Sequence, residues 1–326
     1  MRSKTTLLVF FLFSAVLGFS QQPAQYSLYM MNQLNWNPGY AGLEHSLSVT
    51  GGFREQWVGL EGAPSTQFIS AHMPLYIARG GIGIHLENDE AGATKRTSSY
   101  ISYNYQVFSD AGILSFGVSA GFVQFTLDGS RLRTPEGNYL EGVGGMVIDH
   151  QDELLPLGSI NTMTNTFGAG VYFQSEKLEL GVGVRHLNEP SLDLEGLSFP
   201  LKRAFFLNAG YNLEVNSSLL LMPSLMVQSD LVQTQTNVGL IAQYNENIFG
   251  GATYRGAHSP SSQDAVAIIV GFKISENMRL AYAYDLTLSE LNNVSTGSHE
   301  IMINYNLNKR IGAGRPPRVI YNPRSL

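Results

Sequence analysis

The chain has no cysteine among its 326 residues and few charged residues for its length. Without cysteine it can be neither a disulfide scaffold nor a protein anchored through a lipid-modified N-terminal cysteine. Charged residues make up 14%, well below the roughly 25% typical of soluble domains. The formal net charge of −6 gives no reason to expect nucleic-acid binding, which favours basic patches.

Long hydrophobic runs are also missing after the first twenty or so residues. Hydrophobic residues make up 44%, yet no later run reaches the roughly 18 residues that a membrane helix needs. The chain is rich in glycine, tyrosine and phenylalanine instead. This combination is typical of a transmembrane β-barrel, whose strands are apolar on one face only. A large soluble β-protein is the alternative that composition leaves open.

The first twenty residues have the pattern of a secretory signal peptide. Arg2 and Lys4 precede a short apolar core, residues 7–19, and the small residues Gly18 and Ser20 stand before Gln21. A basic start, a short core and a small-residue exit predict cleavage after Ser20. The mature chain is then expected to begin at Gln21 and to leave the cytoplasm; a retained membrane anchor is the alternative.

Residues 21–44 form a separate region between the signal peptide and the first strand. They show no period of two, and Pro38 with Gly39 interrupts any helix. The region is nevertheless too apolar to remain free in water, because it contains Tyr29, Met30, Met31, Leu34, Trp36 and Tyr40. We therefore predict a plug-like segment that packs across the mouth of a barrel or inside its lumen.

Residues 45–307 alternate between apolar and polar positions, which predicts β-strands. In the stretch beginning at Tyr100, for example, Ile101 and Tyr103 oppose Ser102 and Asn104. We count fourteen such strands, near 45–58, 64–76, 79–88, 96–108, 112–127, 165–174, 178–187, 201–213, 217–228, 231–245, 247–256, 263–274, 277–287 and 297–307. An even number suits an antiparallel barrel that closes on itself. Pro223 lies inside one of them and predicts a bulge or local break, because proline cannot donate to the ladder.

The connections between these strands differ systematically in length. If the N-terminus is periplasmic, the periplasmic connections are all short, whereas the opposite set includes the long segment 128–163. Short turns on one side and long loops on the other are typical of outer-membrane barrels. We therefore expect an all-β transmembrane barrel in the outer membrane of a Gram-negative bacterium, with both termini in the periplasm. Aromatic residues are expected to ring its two interfaces, with these candidates: Tyr100, Tyr103, Tyr105, Phe173, Phe206, Tyr211, Tyr244, Tyr254, Phe272, Tyr284 and Tyr305.

Residues 308–326 form a short C-terminal tail that is basic and, by this topology, periplasmic. The tail contains Lys309, Arg310, Arg315, Arg318 and Arg324 and no acidic residue. Tyr321, with Val319 and Ile320, gives it apolar surface that it could bury. Two interpretations stay open: a frayed polar tail, or a segment that docks on a periplasmic partner.

Motifs for catalysis or metal binding are weak. Residues 117–121 match G-x-S-x-G, but Ser119 falls in the middle of a predicted strand, whereas that motif needs a sharp strand-to-helix turn. The seven histidines show no metal-binding spacing, although His72 and His85 could meet in the lumen. Asp149, Asp152 and Glu153 could bind calcium, but a solvated loop explains them as well, since the EF-hand spacing is absent. We expect no catalytic residue, cofactor or small-molecule substrate.

The stretch from Phe53 to Leu75 carries the most specific pattern. It predicts a strand, an outer turn over residues 58–64 and a returning strand. Arg54 and Gln56 would point into the lumen, where Arg54 needs a partner in the wall or in the N-terminal region because a buried charge must be paired.

Together with the preceding "QYSLYMMNQLNWNPGYAG", this stretch resembles the PorP/SprF family of type IX secretion outer-membrane proteins. The matching positions are Gln25, Tyr26, Asn32, Asn37, Pro38, Tyr40, Ala41, Gly42, Arg54, Gln56, Trp57, Val58, Gly59, Gly62, Ala63, Pro64, Thr66 and Gln67. Ten of these are candidate structural or partner-binding residues: Asn37, Pro38, Tyr40, Gly42, Arg54, Gln56, Trp57, Gly59, Pro64 and Thr66.

The resemblance implies a supporting role in secretion and no enzymatic activity. It implies, as partners, periplasmic components of the type IX machinery, or a large secreted adhesin held at the cell surface, including adhesins used in gliding. A second hypothesis is a transport barrel for small apolar ligands, in which Met30, Met31, Leu34 and Trp36 form a hatch. A third, an outer-membrane hydrolase, has no catalytic triad to support it.

Overall fold

A computed structural model describes residues 23–142, 145–194, 196–257, 263–309 and 311. Its main element is one antiparallel sheet whose first strand pairs with its last, β1 with β19, and whose remaining gap is closed by β12 pairing with β14. The sheet has fifteen segments, but β12 and β13 are two halves of one wall strand. The result is a closed barrel of fourteen antiparallel strands, which confirms the predicted wall.

The strand bounds follow the predicted alternation closely. The wall consists of β1 Ser48–Glu55, β2 Ser65–Leu75, β3 Gly80–Ala91, β4 Thr94–Ser109, β5 Gly112–Asp128, β8 Ser159–Gln174, β9 Leu178–Arg185, β12 Ala204–Tyr211, β13 Leu213–Asn216, β14 Leu219–Ser229, β15 Thr234–Tyr244, β16 Ile248–Ala257, β17 Gln263–Ser275, β18 Met278–Thr287 and β19 Ser298–Asn306. Two further hairpins lie in loops: β6 Asn138–Gly142 with β7 Gly145–Asp149, and β10 Ser191–Leu194 with β11 Leu197–Pro200.

Among the described residues, helical structure is limited to single turns. The short helix α1 spans Gln33–Trp36, and 3₁₀ turns occur at Tyr29–Met31, Pro38–Tyr40, Tyr76–Ala78, Gly129–Arg131 and Glu290–Asn293. Within the part of the chain that the structure describes, no helix is both long and apolar enough to cross a membrane.

The two faces of the wall differ as the period of two predicts. On β4, Ile101 is 67% exposed and Val107 is 44% exposed, whereas Ser102, Asn104 and Gln106 are buried on the other face. The same division holds along the other wall strands, where the outward side chains are mostly apolar. A continuous apolar exterior around a polar interior is suited to lipid, because the closed sheet satisfies its own backbone hydrogen bonds there.

The barrel has a turn end and a loop end. At the turn end, where β1 begins and β19 finishes, the connections are short, such as residues 110–111 between β4 and β5. At the loop end, the longest connections span residues 129–158 and 186–203. These two connections contain the β6–β7 and β10–β11 hairpins, which the sequence did not predict. The expected loop around residues 88–96 is mostly strand, because β3 and β4 pair up to Ala91 and Thr94.

Pro223 does not break its own strand. β14 continues through it, and the pairing of Pro223 with Leu240 in β15 falls in an unshifted register. The interruption lies on the other side, where β12 ends at Tyr211 and β13 starts at Leu213. Since proline lacks an N–H group, the missing ladder bond appears as a gap in the neighbouring strand rather than as a bulge at Pro223.

Candidate functional site

The lumen contains the N-terminal segment, which we define as residues 23–47. The segment is almost entirely buried and runs from the loop end to the turn end. Near the loop end the Tyr26 hydroxyl donates to Glu87 Oε2 at 2.8 Å. Near the turn end Asn306 Nδ2 donates to Glu44 Oε2 at 2.6 Å. The segment therefore passes through the barrel along its length before β1 begins.

This path places the first and last described parts of the chain at opposite ends of the barrel. Pro23 lies against Lys202 and Asp230, which belong to loop-end connections, whereas Asn306 finishes β19 at the turn end. We had predicted both termini on one side of the barrel. The described residues place Pro23 at the opposite end from Asn306, because the N-terminal segment enters the lumen instead of staying outside the turn end.

A cluster of four buried charges binds the loop-end part of the N-terminal segment. Arg54 Nη2 lies 2.7 Å from Asp285 Oδ2, and Arg54 Nη1 lies 2.9 Å from Glu300 Oε2. Arg255 Nη1 lies 3.0 Å from the same oxygen of Asp285. All four side chains are at most 4% exposed, so each charge depends on the others for compensation. We call Arg54, Arg255, Asp285 and Glu300 the charge cluster.

Ser27 of the N-terminal segment is bound directly by the charge cluster. Its hydroxyl donates to Asp285 Oδ1 at 2.6 Å and accepts from Arg54 Nη1 at 3.1 Å and from Arg255 Nη2 at 2.6 Å. The backbone amides of Ser27 and Leu28 donate to the carboxylate of Glu300 at 2.7 and 3.1 Å. Hydrogen bonds to ionised groups are roughly twice as strong as neutral ones, so this point anchors the segment to four wall strands.

A cation held between aromatic rings secures the middle of the segment. The Arg185 guanidinium lies over the rings of Tyr100 and Phe206, at 4.9 and 5.2 Å from their centroids. It donates to the side-chain and backbone oxygens of Asn35. Trp36 packs on Phe206 with 5.4 Å between ring centroids. Tyr100 and Phe206 were candidates for the interfacial rings; the structure turns both inward, where they pack against the segment.

The Asn37-Pro38-Gly39 turn fits closely against the wall. Asn37 Oδ1 accepts from the amide of Gly39 at 2.8 Å. The Gly39 carbonyl accepts from Asn104 Nδ2 at 2.6 Å and from Ser115 Oγ at 2.7 Å. The wall has Gly117 at this point, and a Cβ there would lie 2.2 Å from Gly39 N. A glycine is therefore needed in the wall so that the two backbones can approach.

The β10–β11 hairpin covers part of the loop-end mouth. Leu192 and Leu201 are buried against the inward side chains Tyr100 and Val123. The long connection between β9 and β12 thus folds back over the lumen instead of extending away from it.

The remaining candidate residues in the stretch from Phe53 to Leu75 lie at the loop end. Gln56 Nε2 donates to Gln25 Oε1 at 3.1 Å, and Thr66 Oγ1 donates to Asp89 Oδ1 at 2.7 Å. Trp57 and Gly59 have φ of 55° and 100°, and the Pro64 carbonyl accepts from the amide of Gln56 at 2.9 Å. These contacts shape the β1–β2 connection; partner binding by these residues stays a prediction.

Sequence reasoning identified Arg54 but missed the other charges that complete the cluster. Arg255, Asp285 and Glu300 each occupy a polar-facing position in an alternating strand. Charges at such inward-facing positions were a usable signal. Their partners could not be assigned from the sequence, because Ser27 and Glu300 are 273 residues apart and only barrel closure brings them together.

The histidines and acidic residues considered for metal binding have other roles. His72 Nδ1 accepts from the amide of Gly42 at 3.1 Å, and its Nε2 lies 3.3 Å from Glu44 Oε1. His85 instead lies next to Ser70 and Glu87, so the two rings bind different groups.

Asp149 and Asp152 accept from nearby backbone amides in the loop. Among the described residues, no group of three or more histidine, aspartate and glutamate side chains is arranged to hold a metal ion. Ser119 lies within β5, paired on both sides.

The two chain ends fall largely outside the described residues. The predicted signal peptide, residues 1–20, is among the undescribed ones, as are Arg310, Arg315, Arg318, Tyr321 and Arg324 of the tail. Lys309 is described, and its amide donates to Ser46 Oγ at 3.2 Å.

Three of the cavities beside the N-terminal segment are small. The one between Trp36, His85 and Arg185 has a volume of about 20 Å³, and those near Pro23 and near Met30 have about 10 Å³ each. A volume of this size has room for about one water molecule.

A closed antiparallel wall with an apolar exterior and a polar, occupied interior defines an outer-membrane β-barrel. The sequence profile of PorP/SprF, described as a type IX secretion system membrane protein, matches residues 18–305. The chain belongs to the PorP/SprF family of type IX secretion outer-membrane proteins. No curated protein matches it.

Several solved structures of low sequence identity are similar to this chain. The toluene transporter TbuX of Ralstonia pickettii matches with a TM-score of 0.50 at 13% identity, over 88% of this chain and 94% of that one. The toluene transporter TodX of Pseudomonas putida has a TM-score of 0.49 at 12% identity, with coverage of 85% and 93%. Omp33 of Acinetobacter baumannii has 0.47 at 7% identity, with coverage of 82% and 100%. At such identities, the similarity to TbuX concerns the fold alone.

Proposed function

We propose that this barrel is a non-enzymatic component of type IX secretion that works through its two ends rather than through its lumen. At the loop end it supports secretion or surface attachment of a large adhesin. At the turn end it anchors periplasmic components of the machinery, with the basic tail, residues 308–326, as the docking segment. In this orientation the turn end faces the periplasm and the loop end faces the cell exterior.

The observation that carries this proposal is the occupied lumen. The N-terminal segment acts as a plug, because it is bound at Ser27 by the charge cluster, at Asn35 by Arg185 and at Gly39 by Asn104. A wall strand supplies each of these partners, so removing the segment would leave several buried polar groups without hydrogen bonds. A barrel closed in this way offers partners its loops and turns, and family membership makes secretion partners the expected ones.

Crosslinked pull-downs from intact envelopes test the proposal directly. The full-length barrel is expected to recover type IX components or a large surface protein. A variant lacking residues 308–326 is expected to keep its fold and any surface partner but to lose its periplasmic contacts. If the full-length protein recovers neither class of partner, the proposal fails; if the shortened protein keeps all contacts, the docking role of the tail fails.

The orientation can be tested separately, because the chain has no native cysteine. Leu231 in the β14–β15 connection is 78% exposed at the loop end, and Glu276 is exposed at the turn end. A membrane-impermeant maleimide applied to intact cells is expected to label Leu231→Cys and not Glu276→Cys. The reverse labelling would contradict the proposed orientation, and permeabilised cells serve as the control in which both are labelled.

A second candidate function is transport of small apolar ligands, with the N-terminal segment as a hatch. It is favoured by the fold similarity to TbuX, a toluene transporter of Ralstonia pickettii. The three cavities described beside the N-terminal segment, of about 10–20 Å³ each, argue against it, because an apolar cavity that binds benzene is on the order of 150 Å³. Uptake of an aromatic hydrocarbon into liposomes that contain the protein, above that into empty liposomes, would favour transport.

A further inference from the structure

A groove at the turn-end rim of the barrel has no role in the proposal above. It has a volume of about 340 Å³ and is lined by Tyr76, Arg79, Tyr105, Val107 and Phe108 among others. The groove forms where β4 extends past the first residue of β3 toward the turn end, beside the 3₁₀ turn Tyr76–Ala78. Its volume is thus many times that of each of the three small cavities beside the N-terminal segment.

The groove reaches the lipid-facing side of the wall through Tyr105 and Val107, whereas Tyr76 and Gln106 line it from the inward face. Tyr105 and Val107 are outward side chains of β4, 42% and 44% exposed. The Tyr103 hydroxyl, on the same face, donates to the carbonyl of Ala78 at 2.8 Å and so holds the turn over the outward surface. Ile77 of that turn is 74% exposed, which suits a side chain that enters lipid.

Its level in the membrane follows from the tyrosines around the turn end. Tyr211, Tyr244 and Tyr305 lie near the turn-end limits of their strands and, like Tyr105, are outward and exposed. Tyrosine side chains are enriched where the hydrocarbon region meets the polar headgroups. The groove therefore lies at the depth of phospholipid headgroups, with acyl chains expected beside the apolar wall above it.

Arg79 gives the groove a positive charge. Its side chain is exposed, and among the described residues its guanidinium has no ion pair or hydrogen bond, in contrast to Arg54, Arg96, Arg185, Arg203 and Arg255. Its backbone has φ 52° and ψ 42°, a left-handed conformation in which a glycine would be less strained. The local backbone therefore does not need this side chain.

We propose that this groove binds the headgroup of an anionic phospholipid, with the Arg79 guanidinium on the phosphate. A guanidinium can donate two parallel hydrogen bonds to a phosphate. The exposed edge of the groove on Tyr105 and Val107 lets the acyl chains leave along the wall. A free phosphate ion has the same charge but no acyl chains, so it would use only part of this surface.

Arg79→Gly is the most informative variant. It removes the guanidinium and relieves the left-handed backbone, so the barrel is expected to be at least as stable as the wild type. Full-length protein in detergent is titrated with phosphatidylglycerol, and bound lipid is counted by native mass spectrometry. The apparent affinity is expected to fall about fivefold or more, in line with the contribution of one basic residue near an anionic membrane surface.

Two further variants separate a specific site from general surface charge. Lys177→Ala removes a positive charge from the exposed β8–β9 turn at the same end, separated from the groove by β5, and is expected to leave phosphatidylglycerol binding unchanged. Val107→Glu puts a negative charge into the groove without changing Arg79 and is expected to weaken binding, whereas Val107→Gln has a much smaller effect.

The probe itself identifies the source of the phosphate. Phosphatidylcholine, whose headgroup has no net charge, is expected to bind more weakly than phosphatidylglycerol, and inorganic phosphate is expected not to displace the bound lipid. The proposal is overturned if Arg79→Gly binds like the wild type, if Lys177→Ala loses as much, or if inorganic phosphate competes equally well.

Discussion

We expect Arg54→Met to weaken the binding of the N-terminal segment to the barrel wall more than substitution of any exposed charged residue does. The cluster contains two arginines and two carboxylates, and removal of Arg54 leaves Asp285 and Glu300 with Arg255 as the remaining cation. Ser27 Oγ also loses one donor. Breaking a buried ion pair by removing one partner costs about 3–5 kcal/mol, because the remaining charge is uncompensated.

This loss is expected to act on the segment rather than on the wall. The wall is held by backbone ladders between neighbouring strands around its circumference, whereas the segment is held by side chains. A change of about 3 kcal/mol corresponds to more than a hundredfold change in an equilibrium constant. Single-channel recordings are therefore expected to show a closed wild-type barrel and frequent openings for Arg54→Met, with the variant still folded by electrophoretic mobility and circular dichroism.

Two controls define the result. Arg203→Met removes an exposed arginine, 3.7 Å from Glu189, and is expected to change stability by less than about 1 kcal/mol with no openings. Glu300→Gln added to Arg54→Met restores charge balance in the cluster, so the double variant is expected to open less often than Arg54→Met. The reasoning is refuted if the Arg54→Met channel opens as rarely as the Arg203→Met channel. It is also refuted if the effects of Arg54→Met and Glu300→Gln on channel opening are simply additive.

Three further changes test the fit of the segment. Gly117→Ala places a Cβ 2.2 Å from the segment backbone and is expected to cost about 1–3 kcal/mol in urea unfolding, whereas Gly158→Ala, with nothing within 4 Å, is expected to have little effect. Asn104→Ala removes donors to two segment carbonyls, at 2.6 and 2.7 Å, and protease cleavage of the segment should become at least several-fold faster; an unchanged rate would argue against this anchor. Trp57→Phe leaves Trp36, which is 4% exposed, as the single tryptophan. The fluorescence emission of this variant is expected to be blue-shifted, and adding Arg54→Met is expected to shift the emission to the red.

Family membership and fold bear differently on these tests. The PorP/SprF match covers residues 18–305 and assigns the chain to type IX secretion, while the fold similarity to TbuX extends over most of both chains. A family assignment directs attention to protein partners, and a fold similarity alone does not identify what passes through a lumen. The openings expected of Arg54→Met would show that a passage exists only when the N-terminal segment is released from the lumen.

The local parts of the structure were predictable because they depend on neighbouring residues. Alternation around Ile101 and Ser102 assigned the two faces of β4, and the same period located the other wall strands. The β6–β7 and β10–β11 hairpins were missed, since they lie in segments without a long alternating pattern. Tyr100 and Phe206 were placed at the interface although they pack on Arg185, because an aromatic residue suits either face until a neighbour is known.

The sequence by itself determined the wall: a period of two, an even number of strands and unequal connections follow from residues close together in the chain. Tertiary structure decided the lumen. The direction of the N-terminal segment and the meeting of Ser27 with Arg54, Asp285 and Glu300 depend on closure between strands distant in sequence. The alternation within a strand determines which side of the sheet each side chain faces, but not which residue it contacts. Those contacts are determined only when β1 pairs with β19 and the barrel closes.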